Sequence, residues 1–243
     1  EEIWIRQGIK ARRTRNEGRV RALKALRVER SQRLEQQGRA QVQVSNAKES
    51  GRKVIEAKDV SHSYDEQSLL NKFNLRVMRG DRIGLVGNNG VGKTTLLKIL
   101  LGELQPDQGS VQLGTQLTVG YFDQVRQTLN HDQTVAWNVA EGRDHVTVDG
   151  VDRHIVGYLK SFLFTSQRAR TPVHKLSGGE CNRLMLAKLF ARPTNLLVLD
   201  EPTNDLDIEM LEVLEQKLVE FTGTLILVSH DRAFMDNVVT STL

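Results

Sequence analysis

From position 53 onward the apolar residues of this 243-residue chain fall into two patterns. Short unbroken runs, Leu196-Leu197-Val198-Leu199 and Leu225-Ile226-Leu227-Val228, read as strands buried on both faces. Residues 93–101, 134–141, 154–164, 179–191 and 208–221 read as helices. Residues 54–64 and 69–78 read as longer strands, 82–86 as a short buried strand, and 110–113 and 117–122 as two more. Asp149-Gly150, between 145–148 and 151–154, predicts a small hairpin. Alternation of helices with apolar strands predicts an α/β fold with a mostly parallel main sheet.

The first 52 residues break this pattern. Residues 1–37 are rich in Arg, Lys, Ala, Leu, Glu and Gln and hold no proline, which predicts a long helix. Between Lys10 and Arg19 the only apolar side chain is Ala11, so almost three turns carry no core-facing stripe. Residues 38–52 read as a polar linker and 53–243 as a folded domain.

Composition adds three points. At 39% hydrophobic and 26% charged, the chain is ordinary globular material. The net charge of +4 hides a split: residues 1–33 carry 11 Lys/Arg against 4 Asp/Glu, and the rest 23 against 26, so +7 sits beside −3. A basic arm on a near-neutral domain is the implied arrangement. The lone Cys181 and the lack of an apolar leader or a run of membrane-spanning length point to a cytoplasmic protein without a membrane partner. The chain does not start with Met and reads as a fragment.

Three motifs carry chemistry. Gly87-Asn88-Asn89-Gly90-Val91-Gly92-Lys93-Thr94 matches the phosphate-loop pattern, with a predicted strand before it and a helix after it. Its glycines let backbone N–H groups curl round phosphate oxygens. Lys93 reaches the β and γ phosphates, and the Thr94 hydroxyl suits Mg²⁺. Leu196–Leu199 then delivers Asp200 and Glu201 to the carboxyl end of a buried strand, where α/β sheets place ligands. Asp200 would hold Mg²⁺ through water, and Glu201 would act as general base on the attacking water. Finally, Ser177, Gly178 and Gly179 of Leu176-Ser177-Gly178-Gly179-Glu180 precede a helix that Ser177 can cap, with room for a phosphate at its start. Taken singly, these motifs also fit a Gly-rich turn, an acidic N-cap and a capped helix start; their order along one chain favours the nucleotide site.

That order resembles the cassette of ABC ATPases. The resemblance implies a parallel sheet with an antiparallel β subdomain and a helical subdomain. It extends the ATP-binding set to Tyr64 on adenine and Thr95, makes Gln124 a ligand near Mg²⁺ and water, and makes His230 the histidine that contacts the γ-phosphate. Catalysis would fall to Glu201, His230, Gln124 and Lys93. Residues 202–207 resemble the family's D-loop. Ser177, Gly178, Gly179 and Glu180 would close over ATP held by a second cassette, either an N-terminal cassette of the same protein or a second copy of this chain. Residues 53–243 would be the nucleotide-binding domain, incomplete at the C-terminal end, with the strands expected after His230 missing. Cys181, where related cassettes carry a basic residue, sits at a predicted helix N-terminus that could lower its pKa; a tolerated substitution is the plainer reading.

Residues 4–26 are similar to the end of the interdomain linker in the ABC-F group, and the resemblance spans essentially the whole chain. It implies a soluble ATPase whose closure controls binding to the ribosome and tRNA or to branched DNA. Arg12, Arg13, Arg15, Arg19 and Arg21 would face nucleic-acid phosphates. A solvated coiled-coil arm is the plainer reading of those arginines. The other functional readings are the motor of an ABC membrane transporter and a binding module that uses ATP without turnover.

Overall fold

The structure, a computed structural model, describes residues 50–243 apart from 65, 66, 89 and 149. The basic helix expected over 1–37, with Arg12, Arg13, Arg15, Arg19 and Arg21, lies outside the described residues. So do nearly all of the polar linker, Asn89 and Asp149.

An antiparallel sheet comes first. β1 (Lys53–Tyr64) pairs with β2 (Gln67–Met78) on one side and with β4 (Gln108–Leu113) on the other. Between β2 and β4 the chain forms β3 (Arg82–Leu85) and helix α1 (Lys93–Leu100). Next come β5 (Val119–Tyr121), α2 (Phe122–Gln127), α3 (Val135–Ala140) and the hairpin of β6 (His145–Val148) and β7 (Val151–His154). α4 (Ile155–Lys160), α5 (Ser166–Ala169) and α6 (Gly178–Ala191) complete a helical subdomain. The chain returns through β8 (Leu196–Asp200), α7 (Ile208–Glu220), β9 (Thr224–Val228), α8 (Arg232–Val238) and β10 (Ser241–Thr242).

The main sheet has the order β10-β3-β9-β8-β5, and every pairing in it is parallel. Both of its faces are covered, which explains the unbroken apolar strands. Leu197, Leu199, Leu225 and Leu227 face a core shared with α6, α7, α8 and the helical subdomain. Their neighbours Leu196, Val198, Ile226 and Val228 face a second core built with α1 and the antiparallel sheet. This is the α/β architecture expected from the sequence, with its antiparallel and helical subdomains.

Several local expectations change. Phe122 ends no strand; it begins α2, because Phe122 and Val125, three apart, bury one helical face. The helix expected over 154–164 stops at Lys160, and a separate short helix, α5, follows. Strands after His230 were expected to be missing, yet β10 forms and pairs with β3. α8 precedes it, capped by the Asp231 carboxylate accepting from Phe234 N at 3.0 Å.

Two buried cations tie the layers. Arg82 on β3 donates Nε to Val238 O at 2.8 Å, Nη1 to Phe221 O at 2.9 Å and Nη2 to Leu218 O. It thus neutralises carbonyls at the C-terminal ends of both α7 and α8. Lys217 on α7 is 2% exposed and has no hydrogen-bond partner among the described residues. Its Nζ lies 4.6 Å from the Phe162 ring centroid and 5.8 Å from that of Phe190. The aromatic faces recover part of the lost hydration.

Burial pushes the Lys217 ammonium down from 10.5 to about 7, against the pull of Glu220 and with a push from Arg153. Between about pH 10.5 and 7 the unfolded chain therefore takes up a proton that the fold resists, and stability falls as pH drops through that window. Lys217→Met is expected to stabilise the fold by about 1–4 kcal/mol near neutral pH, a gain that shrinks toward pH 10. Urea unfolding across that range checks it; a gain that is independent of pH counts against a buried neutral amine.

Candidate functional site

The parallel register creates the site. Leu85 on β3, Val228 on β9 and Asp200 on β8 stand in one line across the sheet, because Leu85 pairs with Val228 and Val228 with Asp200. The three strands therefore end level, and the segments beyond them meet at one edge. These are the loop after Leu85, Ser229-His230 after β9, and Glu201 after β8.

A cleft of about 280 Å³ opens at this edge, lined by Gly90, Gly92, Lys93, Thr94, Thr95, Asp200 and Glu201. Gly92 caps α1 with φ 91° and Gly90 has φ 83°, left-handed conformations that strain any residue with a Cβ. α1 starts without a side-chain cap, so its first N–H groups are open to an anionic ligand. Lys93 Nζ donates to Gly87 O at 2.6 Å and Asn88 O at 3.3 Å. Its third proton points to His230 Nε2, 3.2 Å away.

The same Nε2 stands 3.2 Å from Glu201 Oε1. An ammonium only donates, so in its contact with Lys93 the His230 Nε2 is the acceptor. It then has no proton for Glu201. Oε1 of Glu201 accordingly is buried without a hydrogen-bond donor among the described residues. It is the acceptor best placed to take a proton. Glu201 also holds a left-handed backbone, φ 47°, fixed by donation from its N to Val228 O at 2.9 Å.

Thr94 Oγ1 donates to Asp200 Oδ2 at 2.8 Å. A hydroxyl and a carboxylate converging on one point are the hard oxygen donors that Mg²⁺ takes from protein when phosphates supply the rest. Among the described residues no group of three or more His, Cys, Asp or Glu could hold a metal by itself.

The remaining expected residues are apart from the cleft lining. Tyr64, 66% exposed, ends β1. Gln124 sits inside α2 and not at a strand end; its Nε2 donates to Glu103 Oε1 at 2.5 Å. Ser177, Gly178, Gly179 and Glu180 start α6. There Ser177 Oγ accepts from Glu180 N at 3.3 Å, and Ser177 N donates to Glu180 Oε2 at 2.9 Å.

Sequence reasoning missed Arg168. Its Nε and Nη2 grip the two Glu180 oxygens at 2.7 and 2.6 Å, which lowers the Glu180 pKa. Only the fold brings α5 to α6; a basic residue in a polar loop gave no signal. It also missed Tyr121, whose buried hydroxyl is pushed up to about 12 by burial and by Asp200. Cys181 differs from its expectation: burial raises its thiol pKa, outweighing Arg126.

Comparison with known proteins accords with this geometry. The family described as "ABC transporter" matches residues 70–204. The ATP-binding protein Uup of Escherichia coli (strain K12) is 58% identical over 99% of this chain and 38% of its own length. A Uup-like protein of Haemophilus influenzae is 56% identical over 99% of this chain and 52% of its own. The uncharacterized ABC transporter ATP-binding protein YfmR of Bacillus subtilis is 39% identical over 98% and 38%. This chain thus spans between about two fifths and half the length of these relatives. In fold it is similar to the dimeric, post-hydrolysis cassette MJ0796 bound to ADP and Pi. There the TM-score is 0.57 and the identity 23%, over 74% of this chain and 90% of that one. A putative metal-chelate type ABC transporter, facing inward, gives 0.60 and 24% over 79% of each.

The two glycines of the α6 start separate cleanly. A Cβ on Gly178 meets nothing within 4 Å, while one on Gly179 falls 2.8 Å from Asp205 O. Gly178→Ala is expected to be neutral or to stabilise by about 0.5–1 kcal/mol. Gly179→Ala is expected to cost about 1–3 kcal/mol as the loop at 205 yields. Chemical denaturation of both variants measures the contrast, and equal effects would contradict the close approach.

Proposed function

As the chain belongs to the ABC ATPase family, we propose that it binds and hydrolyses Mg·ATP at a composite site shared with a second cassette, and that closure of the pair controls binding to nucleic acid. The observation that carries the ATPase reading is the approach of His230 Nε2 to both Lys93 Nζ and Glu201 Oε1, 3.2 Å in each case, beside Thr94 and Asp200. The backbone N–H groups of residues 87–94 and the start of α1 bind the phosphates. Phosphate oxygens replace the carbonyls that Lys93 now holds. Thr94, Asp200 and Gln124 would hold Mg²⁺, in part through water, and Mg²⁺ would supply positive charge against the β and γ phosphates. Glu201 takes a proton from water as its oxygen attacks the γ-phosphorus, and the bond to the ADP oxygen breaks. His230 orients on the γ-phosphate. Tyr64, exposed at the end of β1, offers its ring to adenine.

Ser177, Gly178 and Gly179 serve the ATP of the second cassette. Three observations support that part: none of them lines the cleft, α6 offers its N-terminus outward, and the MJ0796 cassette is dimeric. The nucleic-acid partner, the ribosome with tRNA or branched DNA, is supported by the +7 charge of residues 1–33. Among the described residues no helix is long and apolar enough to cross a membrane.

Glu201→Gln is expected to lower turnover by about 10²- to 10⁴-fold with ATP affinity kept, and to accumulate an ATP-bound, nucleic-acid-bound state. Phosphate release, nucleotide titration and co-sedimentation with ribosomes or branched DNA read this out. Full turnover in the variant sinks the assignment. Replacing Arg12, Arg13, Arg15, Arg19 and Arg21 by Gln is expected to flatten the salt dependence of nucleic-acid binding by about 0.7–0.9 per lost phosphate contact. An unchanged slope excludes that arm from the contact.

A further inference from the structure

Residues 201–207 run from Glu201 to the start of α7, and they are held at both sides. On the sheet side, Thr203 Oγ1 lies 3.2 Å from Ser229 Oγ, next to His230. Glu201 O accepts from Asn204 N at 3.3 Å, closing a turn directly on the residue proposed as base. On the other side, Asn182 Nδ2 donates to Asn204 O at 3.0 Å. The two faces of one loop residue are thus taken: its N–H by Glu201 and its carbonyl by α6. Nearby, Gly179 leaves no room for a Cβ against Asp205 O, and Arg183 Nη2 stands 3.6 Å from Asp207 Oδ2. Glu201 and Asp205, four residues apart, both have left-handed backbones, φ 47° and 60°. A segment bent this way at non-glycine positions keeps its shape only while its surroundings hold it.

We infer that Asn182 is a positioning residue for the hydrolytic reaction: its amide latches the segment after Glu201 to α6, so that the placement of α6 sets the placement of the Glu201 carboxylate. The inference rests on the proposed roles of Glu201 and of the α6 N-terminus. It adds a direction of coupling. α6 starts with the residues that serve the second cassette's ATP, and Asn182 lies one turn into the same helix. A shift of α6 toward that second nucleotide pulls on Asn204 and, through the backbone of that one residue, on Glu201. Occupancy of the neighbouring site therefore reaches the base of this one within a single chain. The side chain touches neither water nor phosphate in this scheme. It supplies one N–H donor at a fixed place, and an aspartate of the same shape lacks that donor and repels the carbonyl.

The test uses the full chain with Asn182→Asp, Asn182→Ala and Asn182→Gln, read by two methods. Amide hydrogen exchange is followed for the segment 202–206, whose exchanging amides are those of Thr203 to Leu206, and, as a control, for β8. Steady-state hydrolysis is followed with ATP titrated to saturation. In Asn182→Asp and Asn182→Ala, exchange in 202–206 is expected to accelerate about 5-fold with β8 unchanged. The kcat is expected to fall about 10-fold with KM for ATP within twofold. Asn182→Gln, which keeps an amide donor, is expected to recover most of both. Unchanged exchange in 202–206 overturns the latch whatever the activity. Faster exchange with unchanged kcat overturns the positioning role. A wild-type chain that binds and hydrolyses no ATP overturns the proposed function, while faster exchange in the variants would still support the latch itself.

Discussion

Everything chemical in this molecule depends on the parallel pairing that brings Leu85, Val228 and Asp200 into one row. β9 lies between β3 and β8, although it follows both in the chain. That insertion sets His230 between Lys93 and Glu201, two residues that share no local sequence. Slipping β9 by one residue against either neighbour would exchange its two buried faces. Leu225 and Leu227 would turn toward α1, and Ile226 and Val228 toward α7. Both cores oppose that slip, so the packing of apolar side chains fixes the placement of the polar ones.

The helices act on the same edge through their ends. Arg82, at the start of the strand that leads into the phosphate loop, gathers carbonyls from the ends of α7 and α8. α6 approaches the loop after Glu201 through Gly179, Asn182 and Arg183. Lys217 lies where α7 meets Phe162 and Phe190 of the helical subdomain. An amine with no hydrogen-bond partner among the described residues is a weak cement there. The seam between subdomains rests on aromatic and aliphatic packing, which tolerates small rotations better than a set of directional bonds would.

Much of this was legible from the residues in order. The strands at 82–85, 196–200 and 224–228 are unmistakable because burial on both faces leaves them hardly any polar position except at the ends. The phosphate loop and the two acids could be read because each occupies a defined place next to such a strand. The failures have physical causes. Phe122 extended an apolar strand pattern, and only its partnership with Val125 reveals a helix. α8 hides behind a polar start, although Asp231 followed by Phe234, Met235 and Val238 is a capped, amphipathic pattern. Pairs such as Lys93 with His230, 137 residues apart, or Arg168 with Glu180 arise from tertiary geometry and leave no trace in local spacing. Arg82 opens a strand read as buried, but its partners at two helix ends lie 136 to 156 residues away and left no local signal. The arginine-rich residues 12–21 were read from charge and from the resemblance to an interdomain linker, and they lie outside the described residues.

The Ser177 hydroxyl has one further property. Its oxygen accepts the Glu180 N–H and so caps α6, yet its own proton is not used in that bond. A hydroxyl can therefore hold the helix closed and offer a proton to an incoming anion at the same moment. An aspartate would cap the helix as well, but would meet a phosphate with a negative charge. An alanine would meet it with no proton and leave the helix end frayed. Serine at this helix start is a group with separate inward and outward valences, one used in folding and one left over.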